Sequence, residues 1–188
     1  EMPVIAPTLV NNQGCGIRLT QPLDGDTAGQ FDMFYGEPVD RRSAKPDAVI
    51  YGYPFGIVVN RHGQRFFDEG SDSFDSTFEL LGYEIWANQE QEAYFIAEKE
   101  ILDWPNVADI MLTDLPPIEA DTIAELGEKL GLDAMALSAT VSEYNGAIGP
   151  GETDRSIRDG KAATNISPPK SNWATPIAKA PFIAYPLT

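Results

Sequence analysis

Residues 49–70, VIYGYPFGIVVNRHGQRFFDEG, constrain the fold more than any other part of the sequence. The run at 49–59 is dense in β-branched and aromatic side chains, which suit a pleated, half-buried surface. Asn60, Arg61, His62 and Gly63 supply turn chemistry, and residues 64–67 are expected to pair back as the second arm of a hairpin. Two phenylalanines, two acids and a glycine follow at once.

The other elements follow from periodicity. Residues 1–48 are broken by Pro3, Pro7, Pro22, Pro38 and Pro46; within them residues 14–19 are expected to open a short helix and residues 29–35 a short strand. Phe74, Phe78, Leu81 and Ile85 recur at helical spacing over 74–88, and residues 93–97 read as a buried strand. Residues 121–148 form a helix pair: Thr122 caps the first helix with Glu125 three residues on, Gly131 ends it, and Asp133 caps the second. Residues 150–181 carry turn formers without a period, and 181–188 are a β-like run that stops without a turn. The fold class expected is α+β, with a small mixed or antiparallel sheet built on residues 49–67 and 93–97 and helices packed against it.

Charge narrows the partners. The formal charge is −16 over 188 residues, which repels nucleic acid and anionic membrane, so neither is expected as a partner. No apolar run approaches the roughly 18 residues of a membrane span. The lone cysteine, Cys15, permits no internal disulfide and fits a reducing, cytoplasmic setting. Between Arg65 and Arg155 there is no arginine, and only Lys99 and Lys129 are basic. An anion site in this chain must therefore draw on Arg18, Arg41, Arg42, Arg61, Arg65, Arg155, Arg158, the C-terminal lysines or a partner.

Single-motif chemistry is sparse. One histidine and one cysteine give no His/Cys metal set, and Asp68, Glu69, Asp72 and Asp75 lack calcium-loop spacing, so they read as a solvated acidic loop. There is no Gly-x-Ser-x-Gly, and His62 reads as a turn residue. Gly14-Cys15-Gly16 opens like a dinucleotide fingerprint, but Leu19 stands where its third glycine belongs. Glu69 admits two readings, a carboxylate that caps a strand end or a desolvated group in proton relay. Arg65 is either its structural partner or a carboxylate anchor, and structural pairing is the simpler reading.

As a set these segments resemble the substrate-capping domain of the succinate dehydrogenase/fumarate reductase flavoprotein family. The carriers are GIVVNRHGQRFFDEG, the helix followed by Gly131-Leu132-Asp133, the Val141-Ser142-Glu143-Tyr144-Asn145 helix ending, and the returning strand at 181–186. Asp68-Glu69-Gly70 with Asp72, and the run PPKSNWA at 168–174, are most similar to the tricarballylate dehydrogenase branch. The resemblance implies a capping domain over 31–188, with residues 1–30 a connector left from the flavin-binding domain. It further implies a piece of a longer dehydrogenase that carries FAD in its full-length form. The piece itself is expected to bind none and to be inactive alone. Its partners would be the missing FAD-binding domain of the same chain and a small carboxylated substrate, oxidised by hydride transfer to the flavin.

The departures are specific. The position of the family's proton-donating arginine is Ser73 here, its glutamate–arginine relay falls at Val49 and Gly52, and no histidine stands near residues 35–37. Fumarate reduction by that relay is therefore not expected. Tyr35, Glu37, Tyr53, Glu69 and Ser73 are the candidate substrate-lining residues, with catalytic roles unassigned. The alternatives are a ketosteroid-dehydrogenase-like cap using tyrosines, and a non-catalytic acidic binding module.

Overall fold

The computed structural model describes residue 11 and residues 13–30 and 35–188. Four strands, β1 (Ile57–Asn60), β2 (Ala93–Glu98), β3 (Ile118–Ala120) and β4 (Phe182–Leu187), form one sheet in the order β1-β2-β4-β3, with every pairing antiparallel. Four helices accompany them: α1 (Cys15–Thr20), α2 (Phe74–Asn88), α3 (Ile123–Leu130) and α4 (Ala134–Ala147).

Strand alternation sorts the core into two layers. Ile57, Val59, Tyr94, Ile96, Phe182 and Ala184 face one way, onto Leu126 of α3 and Leu137, Val141 and Tyr144 of α4. Val58, Phe95, Ile183, Tyr185 and Leu187 face the other way, onto Leu81 and Ile85 of α2 and onto Ile50, Tyr53 and Met111. Both faces of the sheet are thus covered, which is why β2 and β4 are continuous apolar runs rather than alternating ones. β4 lies inside the sheet: its Phe95–Tyr185 and Ile118–Ala184 pairings hold β2 on one side and β3 on the other.

The helix ends follow local chemistry. The Thr122 side chain accepts from Glu125 N, and Glu125 reaches back to Asp121 N, one residue before the expected partner of a capping box. Gly131 takes φ 73° to close α3, and Asp133 accepts from Met135 N and Ala136 N to start α4.

The hairpin arms are shorter than the sequence suggests. Within residues 49–59 only Ile57–Val59 lie in strand; Tyr53–Phe55 is a 3-10 turn, and Val49 and Ile50 make single bridges to Val39 and Met111. Pro54 cannot donate to a ladder. Gly56 lies so close to β2 that a Cβ there would sit 2.3 Å from Ile96 O. The return arm holds one bridge, Val59 to Arg65, before Phe66 and Phe67 leave it to pack against the α2-side core. The turn itself is as expected: Asn60 Oδ1 accepts from His62 N and Gln64 N, and Gly63 takes φ 71°. The strand expected at 29–35 includes residues 31–34, which lie outside the described residues, as do residues 1–10 of the expected connector.

Residues 149–173 form a strap of turns held by bridges from Ile148 to Ala163 and from Ala163 to Lys170. The strap lies on the hairpin's acidic loop, where Asn172 Nδ2 donates to Gly70 O at 2.7 Å.

Candidate functional site

A groove of about 700 Å³ lies between the Tyr53–Phe55 turn, the start of α2, residues 105–110 and residues 152–156 of the strap. Its size suits a small organic ligand. Phe55, Phe74 and Trp173 give it aromatic walls, Ser73 lies at its edge, and Arg155 is the one cation on its lining. Phe55 stands edge-on to both Trp104 (5.9 Å, 71°) and Trp173 (6.1 Å, 68°).

Phe74 links the groove to a second aromatic surface. It stacks on Tyr51 at 4.9 Å, Tyr51 meets Phe78 edge-on at 5.6 Å, and Tyr35 meets Phe78 at 5.5 Å. Helical spacing puts Phe74 and Phe78 on one side of α2, which fixes this surface. The Tyr51 hydroxyl donates to Glu37 Oε1 at 2.8 Å. Burial first, then the Glu37 carboxylate, push the Tyr51 phenol well above its ordinary pKa. The phenol therefore stays protonated at neutral pH; its one O–H is donated to Glu37, so toward a ligand Tyr51 presents its oxygen lone pairs.

A third cluster is closed. Glu69 has no exposed side-chain surface and accepts from Val58 N at 2.8 Å, Arg65 Nε at 3.1 Å and Arg65 Nη2 at 2.6 Å. Arg65 also donates to Pro168 O at 2.7 Å and lies over the Tyr144 ring at 5.4 Å. Lys170, fully buried, donates to Pro54 O and Gly56 O at 2.7 and 3.0 Å, and its Nζ is 3.8 Å from Glu69 Oε2. Burial pulls the Lys170 pKa down to about 8, opposed by the Glu69 charge. The cluster ties β1, the acidic loop and the strap together through charge-assisted bonds.

The five candidate residues therefore separate. Tyr35 (65% exposed) and Glu37 are on the aromatic surface and Ser73 is on the groove. Tyr53 and Glu69 are in the core: Tyr53 is fully buried with its hydroxyl 2.5 Å from Thr77 Oγ1, and Glu69 is bound as above. Both are thus buried in this chain, and Glu69 pairs with Arg65, the structural reading the sequence favoured. Asp68 and Asp72 are engaged too, by Ser171 and Arg158, and among the described residues no three potential metal ligands converge.

Sequence reading missed Tyr51, Phe74, Trp173 and Lys170 as site residues. Tyr51 and Phe74 were absorbed into strand and helix patterns, and the strap's path over the hairpin leaves no period to read. Arg155 had a signal, since it closes the arginine-free stretch.

The described residues do not fit as a dinucleotide cradle, which needs a strand, a glycine-rich turn and a helix. Every described strand pairs antiparallel, and the turn from β3 into α3 is Asp121-Thr122, without glycine. A Cβ at Gly14 or Gly16 would meet nothing within 4 Å, and the helix they open has six residues.

No protein-family model matches the chain. The chain is 28% identical over 193 residues to 4-oxocyclohexanecarboxylate 2-dehydrogenase of Sinomonas cyclohexanicum, covering 92% of this chain and 33% of that protein. It is 27% identical over 135 residues to NADH:fumarate oxidoreductase of Klebsiella pneumoniae (strain 342), covering 72% and 14%. Among solved structures, the 3-ketosteroid delta1-dehydrogenase of Sterolibacterium denitrificans superposes with TM-score 0.62 at 22% identity, covering 94% of this chain and 35% of that one. A flavocytochrome c3 fumarate reductase superposes with TM-score 0.57 at 20% identity, covering 81% and 24%. The proteins that this chain resembles are thus oxidoreductases, flavoprotein dehydrogenases and fumarate reductases, and its α+β fold is one found within them. The chain spans a third or less of the length of the two curated relatives (33% and 14%). No described helix is long and apolar enough to cross a membrane.

Proposed function

We propose that this chain supplies the substrate-covering part of an FAD-linked dehydrogenase that acts on a carbon–carbon bond next to a carbonyl or carboxylate group. The flavin belongs to a separate domain of the parent protein, and residues 31–188 form the cap that closes over it. The observation that carries this reading is the similarity to 4-oxocyclohexanecarboxylate 2-dehydrogenase, which runs along 92% of the chain. The cap's part is to exclude water and hold the substrate against aromatic walls. Tyr35, Glu37 and Ser73 are the surface residues of that site, and Tyr51, whose hydroxyl donates to Glu37, fixes the direction of that carboxylate.

The aromatic walls also favour a second reading, a ketosteroid-type ring ketone as substrate. Tricarballylate, the compound suggested by the segment resemblance, is a third candidate. Purified parent protein is to be assayed with an artificial electron acceptor against 4-oxocyclohexanecarboxylate, a 3-ketosteroid, tricarballylate and fumarate. The expected result is bound flavin and turnover of at least one of the first three. Absence of flavin and of any turnover overturns the reading in favour of a binding module.

A further inference from the structure

Trp173 adopts φ 52°, the left-handed region that a bulky L-residue rarely enters, and it is buried. Three bonds hold it there. Its backbone N donates to Asp159 Oδ1 at 2.9 Å, and its indole Nε1 donates to Asp154 O at 3.1 Å and Ile157 O at 2.9 Å. The strained tryptophan therefore fixes the loop on which Arg155 sits.

Arg155 is poised on the groove. Its guanidinium lies 4.8 Å from the centroid of the Trp104 ring, and Nη1 makes one bond, of 3.3 Å, to Pro105 O. A guanidinium carries five N–H donors. In a chain with 29 acids and 13 basic residues, Arg155 has no carboxylate within 4.0 Å among the described residues. The cation–π contact with Trp104 holds the guanidinium without using its N–H donors. Three acids, Asp75, Glu152 and Asp154, line the same groove.

We propose that Arg155 is the carboxylate-binding residue of this groove and that the groove selects an organic monoanion. One carboxylate pairs with Arg155, the apolar body of the ligand lies against Phe55, Phe74 and Trp173, and a second or third carboxylate is rejected by the acids around it. Its role as a substrate anchor rests on the proposed dehydrogenase reading; the binding itself does not. Within that reading it separates the candidates, favouring a ring that carries one carboxylate over tricarballylate.

The test is tryptophan fluorescence of the 188-residue chain, since Trp173 lines the groove and Trp104 packs against Phe55 and Arg155, which also line it. Titrants are 4-oxocyclohexanecarboxylate, its neutral methyl ester and tricarballylate. The expected result is a saturable change with the monoanion. Binding should be at least about tenfold weaker for the ester and for Arg155→Met, intermediate for Arg155→Lys, and weaker still for tricarballylate. The comparison of acid with ester needs no variant, so it stands even if Arg155→Met fails to fold. Equal affinity for acid and ester, tighter binding of tricarballylate, or no saturable change with any titrant overturns the proposal. Turnover by the parent protein with an unchanged KM in Arg155→Met sinks this inference alone. Intact monoanion binding without turnover sinks the dehydrogenase reading alone.

Discussion

Lys170 shows how much one side chain decides here. It enters the core from the strap with no exposed surface, donates to two carbonyls, and approaches Glu69, which Arg65 already pairs. Breaking such a buried set costs more than its pairwise attractions suggest, because the remaining charge stays desolvated. The set also makes stability depend on pH. Burial lowers the folded-state pKa of Lys170 from 10.5 to about 8, so between those values the unfolded chain binds more protons than the folded one. Stability from this group therefore rises as pH rises through that window, by up to about 3 kcal/mol at 1.4 kcal/mol per unit. Urea unfolding at pH 7.5 and pH 10 should show wild type gaining on Lys170→Met by a sizeable part of that amount; parallel pH profiles would contradict it. None of this was legible in the sequence. Lysine 170 sits in PPKSNWA, a stretch with no apolar period, and a charged residue there reads as surface.

At the scale of elements, what the sequence reveals depends on how local the determinants are. The bounds of α2 follow from Phe74, Phe78, Leu81 and Ile85, and the α3–α4 pair follows from Thr122, Gly131 and Asp133, because spacing and caps act within a few residues. β1 was over-read, because β propensity at 49–56 is overridden by Pro54 and by the close packing of Gly56 on β2. β3 went unread: its three residues follow a proline pair and pair only with β4, more than sixty positions on. The groove is the extreme case, since its walls come from four segments whose meeting depends on where the strap lies. The strap's contact with the acidic loop turns on Gly70. A Cβ there would sit 2.2 Å from Asn172 O and 2.7 Å from Asn172 N, both backbone atoms that cannot swing aside. Gly70→Ala is expected to lose about 1–3 kcal/mol in urea unfolding and to raise protease cleavage between residues 150 and 175. Stability equal to wild type would mean that the strap is not clamped at this point.

For the molecule as a whole, charge sets the balance. Most of the described ion pairs are exposed, such as Lys179–Glu100 and Arg61–Glu90, and solvent screening leaves each a minor contributor. A net charge of −16 repels itself across the surface. Raising NaCl from about 0.05 to 0.5 M is therefore expected to raise Tm by a few degrees, because screening relieves more repulsion than it removes attraction. A fall in Tm would mean that the pairs outweigh the net charge. The order of the sheet has a separate consequence. β4 is the last of the four strands to leave the ribosome, yet it is the one that joins β3 to the β1–β2 pair. Until residues 182–187 emerge, the growing polypeptide holds a half-built sheet with a bare apolar flank along β2. Closure of the sheet must wait for those residues, and throughout that interval the open edge of β2 is a site for mispairing.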